Sequence, residues 1–124
     1  YREAQGFFED IFEATQTGKR KKLFKLFCGA DLLIIDDLFL KKRLPQTAAD
    51  DLLDVILERY RHRKSTMITS NRLIDDWGKL LNDNAAASAI LDRLLHRGHL
   101  LKFEGKSYRL KEASKRLALE KKNN

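Results

Sequence analysis

Apolar side chains recur at helical spacing at the start of the chain. Phe7, Phe8, Ile11 and Phe12 fall on one side of Arg2–Thr15, with Glu9, Asp10 and Glu13 on the other. Thr17-Gly18 breaks this helix. A second, strongly basic helix is predicted next, with Lys19, Arg20, Lys21, Lys22 and Lys25 outside and Leu23, Phe24, Leu26 and Phe27 inside. It ends at Cys28-Gly29. The run Asp31-Leu-Leu-Ile-Ile-Asp36-Asp37 then shows no alternation. A short continuous apolar run of this kind predicts a strand buried on both faces, and with it a parallel α/β sheet.

After the loop 38–46, Thr47 is a candidate N-cap for a long helix. Ala48, Ala49, Leu52, Leu53, Ile56, Leu57 and Tyr60 keep the 3.6-residue period along it. Thr66-Met-Ile-Thr-Ser70 predicts a second strand, and a short helix carrying Trp77, Leu80 and Leu81 follows. Asn82-Asp83-Asn84 offers capping chemistry to a helix from about Ala85 to His96. That helix would bury Ala87, Ile90, Leu91, Leu94 and Leu95, leaving Asp92, Arg93, His96 and Arg97 to solvent or a partner. Leu100–Phe103 and Ser107–Leu110 flank Glu104-Gly105-Lys106 as a candidate hairpin. A basic tail closes the chain, and no internal repeat or linker divides it.

The length of 124 residues is one domain's worth. Hydrophobic residues make up 43%, enough for a core, and charged residues 35%, above the usual quarter. The net charge of +7 favours a polyanionic partner, with nucleic acid ahead of an anionic membrane. A lone cysteine, Cys28, excludes an intrachain disulfide framework and a multi-cysteine zinc site. The longest uncharged apolar run is Leu32–Ile35, and no signal peptide opens the sequence, so a cytoplasmic protein with no membrane span is expected. The first residue is Tyr1 rather than Met, which raises the expectation of a fragment.

Candidate chemistry sits at the ends of the two strands. Ligands of open parallel sheets bind at the carboxyl ends of the strands, where Asp36 and Asp37 would stand. Four aliphatic residues and two acids form a Walker B pattern, suited to a hydrated Mg²⁺ bridging phosphates. Two acids opening a solvated loop is the competing reading. Asn71, after Thr69-Ser70, could orient a water against a terminal phosphate if the strands are neighbours, or could be an ordinary turn residue. Arg93, with Arg97 one turn on, could neutralise charge on a transferring phosphoryl group, or could lie on a solvated helix face.

Five ordered spans carry a resemblance. They are Asp31–Leu38, Glu58-Arg-Tyr60, Arg63–Asn71, Ala89–His96 and Gly105-Lys-Ser-Tyr-Arg109. Together they resemble the C-terminal half of the IstB-like ATPases, AAA+ proteins that assist the transposases of insertion sequences and are related to the helicase loader DnaC. The likeness spans roughly Arg2 to Leu110. It implies a partial AAA+ P-loop nucleoside triphosphatase core: residues 1–30 a helical lead-in, 31–110 the Walker B strand to the terminal hairpin, and 111–124 a basic tail. By position, the resemblance makes Asp36 the holder of the Mg²⁺ shell and Asp37 the group that polarises the attacking water. Asn71 becomes the sensor-one residue, also contacting nucleotide, and Arg93 the arginine finger. Arg59 and Arg109 match recurrent positions without a role. ATP and Mg²⁺ are the implied cofactors. DNA, a transposase or replicative helicase, and further copies of the chain are the implied partners. Lys19, Arg20, Lys21, Lys22 and Lys25 are candidate DNA contacts from charge alone.

Two departures stand out. The family usually follows its acidic pair with Leu-Gly, whereas Leu38 here precedes Phe39, so loss of the sharp turn is expected. No Gly-x-x-x-x-Gly-Lys-Ser/Thr occurs, since Gly18-Lys19 is followed by Arg20. The phosphate cradle and its central strand are expected upstream of this chain, which by itself should bind ATP·Mg²⁺ only weakly. With that strand absent, the two apolar strands should be parallel neighbours, and Leu100–Phe103 should stand apart from them. The alternatives are a non-enzymatic, winged-helix-like DNA-binding module built on 85–110, and an inactive remnant.

Overall fold

The computed structural model describes residues 1–41, 43–103 and 116–119. In chain order the elements are β1 (Arg2–Glu3), α1 (Ala4–Gln16), α2 (Arg20–Gly29), β2 (Leu32–Leu38), α3 (Ala48–Arg61) and β3 (Ser65–Ser70). A single 3₁₀ turn at Ile74–Asp76 leads into α4 (Trp77–Leu80), and α5 (Asn84–His96) follows. The strands form one parallel sheet in the order β1-β2-β3. This is the mixed α/β, parallel architecture of a partial P-loop nucleotide-binding core. β2 and β3 are parallel neighbours, paired from Leu32↔Ser65 onwards. Leu100–Phe103 forms no strand and does not join β3, and the rest of the expected hairpin lies outside the described residues.

The core explains why the elements sit where they do. Phe7, Phe8 and Ile11 of α1 and Leu52, Val55 and Ile56 of α3 bury against Leu33 and Ile35 of β2. Phe27 of α2 joins them, its ring centroid 5.0 Å from that of Phe7. The expectation of a strand buried on both faces is corrected. Leu33 and Ile35 are buried, but Leu32 is half exposed, as is Met67, the neighbour of Ile34 on β3. Successive strand residues point to opposite faces, and among the described residues the helices cover only one.

The helix faces also differ in detail from the periodicity. Leu26 of α2 is exposed rather than inside; in the last turn Phe27 is buried and Cys28 packs against the core half-buried. On α3 the buried set includes Asp51, Val55 and Arg59, while Leu53 and Leu57 are only half buried. Thr47 occupies the N-cap without a side-chain bond, and Asp50 and Asp51 supply the negative charge that the first turn favours. Asp83 caps α5 as expected, its Oδ1 accepting the Ala86 N–H at 2.9 Å. Leu95, expected inside α5, is exposed, and Ala86, Ala87 and Ile90 form the buried stripe.

β1 has no counterpart in the sequence reading, which begins a helix at Arg2. Two residues carry no periodicity, and their extended form follows from pairing Arg2 with Ile35 and Glu3 with Asp36.

Candidate functional site

The pairing of β2 with β3 slips by one residue where the acids stand. Ile35 pairs with Ile68, but Leu38 pairs with Ser70, so Asp36 and Asp37 together oppose the single residue Thr69. This is a β-bulge, a device that bends a strand and re-aims its side chains. Asp37 takes the extra turn with φ +60°, a left-handed conformation that aspartate tolerates better than most residues. Thr69 fills the bulge. Its Oγ1 accepts the Asp37 N–H at 2.9 Å and donates to the Asp36 carboxylate. The Tyr1 hydroxyl donates to the other Asp36 oxygen at 2.7 Å.

These bonds fix the protonation of the pair's first member. The Thr69 hydroxyl, then that of Tyr1, holds the Asp36 carboxyl below its ordinary range, so it is an anion at neutral pH. The same bond to Asp36 raises the Tyr1 phenol. Asp37 is exposed, with no hydrogen bond to its carboxylate among the described residues. Asn71 follows Ser70 at the same end of the sheet, two residues beyond Thr69, and is exposed. The structure thus brings Asp36, Asp37 and Asn71 to one rim. Thr69 and Tyr1, to which sequence reasoning gave no role, complete the pair's hydrogen bonding.

The turn after the acids is kept, which corrects the expectation raised by Phe39. Leu40 N–H bonds to Asp37 O at 3.1 Å, and Phe39 occupies the third position with φ +68°, where glycine is the usual residue. Its ring is only 6% exposed and meets Trp77 edge-on at 5.5 Å. Aromatic packing holds a conformation that the Cβ opposes.

Arg93 lies elsewhere. It lines a cleft with Arg63, Lys64, Ser65 and Arg97, at the end of β3 where the strand begins. From Ser65 and Thr66, paired with Leu32 and Leu33, to Asp36 is three to four residues, about 10–13 Å along the strand. The acids and Arg93 therefore face opposite ends of one sheet.

Arg59 has the role that sequence left open. It is 0% exposed and spends every N–H. Nη1 donates to Phe27 O and Ala30 O, both at 2.7 Å, and Nη2 to Ser65 O at 2.6 Å and Asp31 O at 3.5 Å. Nε donates to Thr66 Oγ1 at 2.9 Å. One guanidinium ties the end of α2 to the starts of β2 and β3. Burial lowers its pKa from the ordinary arginine value.

Among the basic residues of α2, Arg20 differs from its neighbours. It pairs with Asp51 at 2.9 Å and Asp54 at 3.5 Å and lies 4.2 Å over the Phe24 ring. Lys19, Lys21, Lys22 and Lys25 are exposed.

The acidic rim suits a hydrated divalent cation. Asp36 is ionised and retains lone pairs, and no group of three or more His, Cys, Asp or Glu side chains gathers among the described residues. A magnesium ion there would be held through its water shell by Asp36. No described helix is long and apolar enough to cross a membrane.

Known proteins share this chain's sequence over most of its length. The ATP-binding protein of insertion sequence IS5376 from Geobacillus stearothermophilus is 38% identical over 118 residues, covering 95% of this chain and 45% of that protein. The IS21 ATP-binding protein of Pseudomonas aeruginosa is 35% identical over 106 residues, 85% of this chain and 39% of its own. The insertion-sequence ATP-binding protein y4pL of Sinorhizobium fredii is 33% identical over 115 residues, 93% of this chain and 46% of its own. The chain spans less than half the length of these relatives. The sequence pattern of the IstB-like ATP binding protein family matches residues 1–116, and on that match the chain belongs to this family.

Proposed function

We propose that this chain is the Walker B and arginine-finger part of an ATPase core whose ATP binding and hydrolysis serve DNA transposition alongside a transposase. The observation that carries the reading is the pairing of β2 with β3, which sets Asp36, Asp37 and Asn71 on one rim and Arg93 at the far end. Bound Mg²⁺ supplies charge neutralisation at the phosphates. Asp36, kept ionised by Thr69 and Tyr1, holds its water shell. Asp37, with a free carboxylate, accepts the proton of an attacking water, and Asn71 orients that water. Because Arg93 opens away from the acids, it serves the nucleotide of a neighbouring copy, which makes the working form a homo-oligomer. The names of the relatives, all tied to insertion sequences, favour a transposase over a replicative helicase as partner. Lys19, Lys21, Lys22 and Lys25 offer DNA a sequence-independent, salt-sensitive contact. Arg20 is committed to Asp51 instead.

Subunit mixing tests the reading in full-length protein that carries this segment. Asp37→Asn should abolish hydrolysis and leave ATP binding intact. Arg93→Ala should lower turnover by about 10³-fold or more. Mixing the two inactive variants should restore turnover, since each supplies what the other lacks at some interfaces. Mixtures as inactive as either parent would refute the assignment of Arg93 to a neighbour's nucleotide.

A further inference from the structure

The cleft that holds Arg93 contains more positive charge than a single finger requires. It measures about 330 Å³ and lies between the end of α3, the start of β3 and the last turn of α5. Arg63, Lys64, Arg93 and Arg97 all line it. Of the four, only Lys64 has a carboxylate partner among the described residues, Asp31 at 3.2 Å, and that carboxylate is fully exposed. Arg63, Arg93 and Arg97 thus bring three positive charges without a carboxylate partner among the described residues to one concavity, which favours entry of an anion.

Two of the four are placed by specific structure. Arg63 follows the end of α3 at φ +54°, with its N–H on Tyr60 O at 3.1 Å and the Lys64 N–H on Arg59 O at 2.9 Å. This is a helix-ending motif in which glycine is the usual residue at the left-handed position, yet an arginine stands there. Arg97 lies 4.9 Å over the Tyr60 ring, and the Tyr60 hydroxyl is 2.7 Å from His96 Nδ1, which fixes that ring. The cleft is concave and small, unlike the convex elements that enter a DNA groove about 12 Å wide. A phosphate chain has the charge and the slenderness to fit it.

We propose that Arg63, Lys64 and Arg97 act with Arg93 as one polyphosphate-binding cleft, which receives the phosphate tail of a nucleoside triphosphate held by a neighbouring copy. The identity of the donor rests on the assignment of Arg93 above; the polyphosphate chemistry does not. The three added residues bind the tail directly, so that Arg93 meets the transferring group.

Calorimetry of the 124-residue chain with magnesium-free tripolyphosphate at low salt tests the cleft without any assembly. One-to-one binding is expected, weakened tenfold or more by Arg63→Gly and by Arg97→Ala. Arg63→Gly relieves a left-handed residue, so its melting temperature should not fall, which separates lost binding from lost folding. Lys79→Ala, outside the cleft, removes the same charge and should change affinity less than twofold. No binding, or equal losses in all three variants, would overturn the proposal in favour of non-specific attraction to a basic protein. A short DNA duplex that outcompetes tripolyphosphate and is weakened by the same cleft variants would also overturn it. Subunit mixing with Arg93→Ala reports separately. Binding in the cleft without rescue in mixtures would refute the neighbouring donor and leave the polyphosphate site standing.

Discussion

Arg59 and the Asp36-Asp37 pair occupy opposite ends of the same two strands, and they are held in opposite ways. At the start of β2 and β3 a fully buried guanidinium has an acceptor for each of its five donors, mostly backbone carbonyls. At the far end the two acids sit in a bulge, Asp36 half-buried and bonded by one threonine and one tyrosine hydroxyl, Asp37 exposed with its carboxylate unbonded among the described residues. The difference separates a charge that builds the fold from charges left available to a ligand. A buried cation with complete hydrogen bonding has nothing left to offer, whereas Asp37 keeps its whole carboxylate for solvent or substrate.

Removing the clamp should have the largest effect. Arg59→Met removes the donor from the buried Phe27 carbonyl, at about 1–3 kcal/mol, and from the part-buried Ala30 and Ser65 carbonyls, at less each. A loss of about 3 kcal/mol or more is expected from the urea midpoint, and Arg59→Lys should recover little, since three donors cannot replace a planar five. A loss below about 1 kcal/mol would mean that the two ends of the sheet are held alike.

Phe39 sharpens the comparison at the acidic end, where packing is set against strain. Phe39→Gly restores the family's usual residue and returns about 1–2 kcal/mol of backbone energy. It also removes a buried ring worth about 3–5 kcal/mol. The net expectation is a variant less stable by about 2 kcal/mol in chemical unfolding. A variant as stable as the parent would show that the contact with Trp77 contributes little.

The smallest effect is expected from Thr69→Val, which keeps the shape and removes the hydroxyl. Asp36 has a lowered pKa in the folded chain, so its stabilising bonds are fully present above the ordinary carboxylate pKa and are lost as pH falls through the lowered value. The variant should raise the Asp36 midpoint towards normal in an NMR titration. The stability difference between variant and parent should shrink as the pH drops below that range. An unmoved midpoint would transfer control of Asp36 to Tyr1.

The parts visible in the sequence are those written as local periodicity. The run Leu32–Ile35 announced β2, and the spacing Ala48, Leu52, Ile56 announced α3, because burial repeats with the element's own period. What escaped was relational. The bulge exists only as an offset between two strands, so neither strand alone encodes it. Arg59 matched a recurrent position without a role, because its five acceptors come together only when α2, β2 and β3 meet. Arg93 was legible as an arginine on a polar helix face. Its cleft was not, since Arg63 and Lys64 approach from thirty residues away in the chain.

The outer edge of β3 carries a consequence of another kind. Among the described residues no strand lies beyond it, and Ser65–Ser70 contains no charge, proline or glycine. Those are the properties of a segment that templates further strands, and natural edges blunt them with charge or bulges. The bulge of this sheet is on β2, on the wrong side to protect β3. At the concentrations used for spectroscopy the chain should therefore be limited by colloidal stability before thermodynamic stability, with growth through edge-to-edge pairing. A single gatekeeper, Met67→Lys on the exposed face of that strand, should extend the soluble range while leaving the melting temperature nearly unchanged.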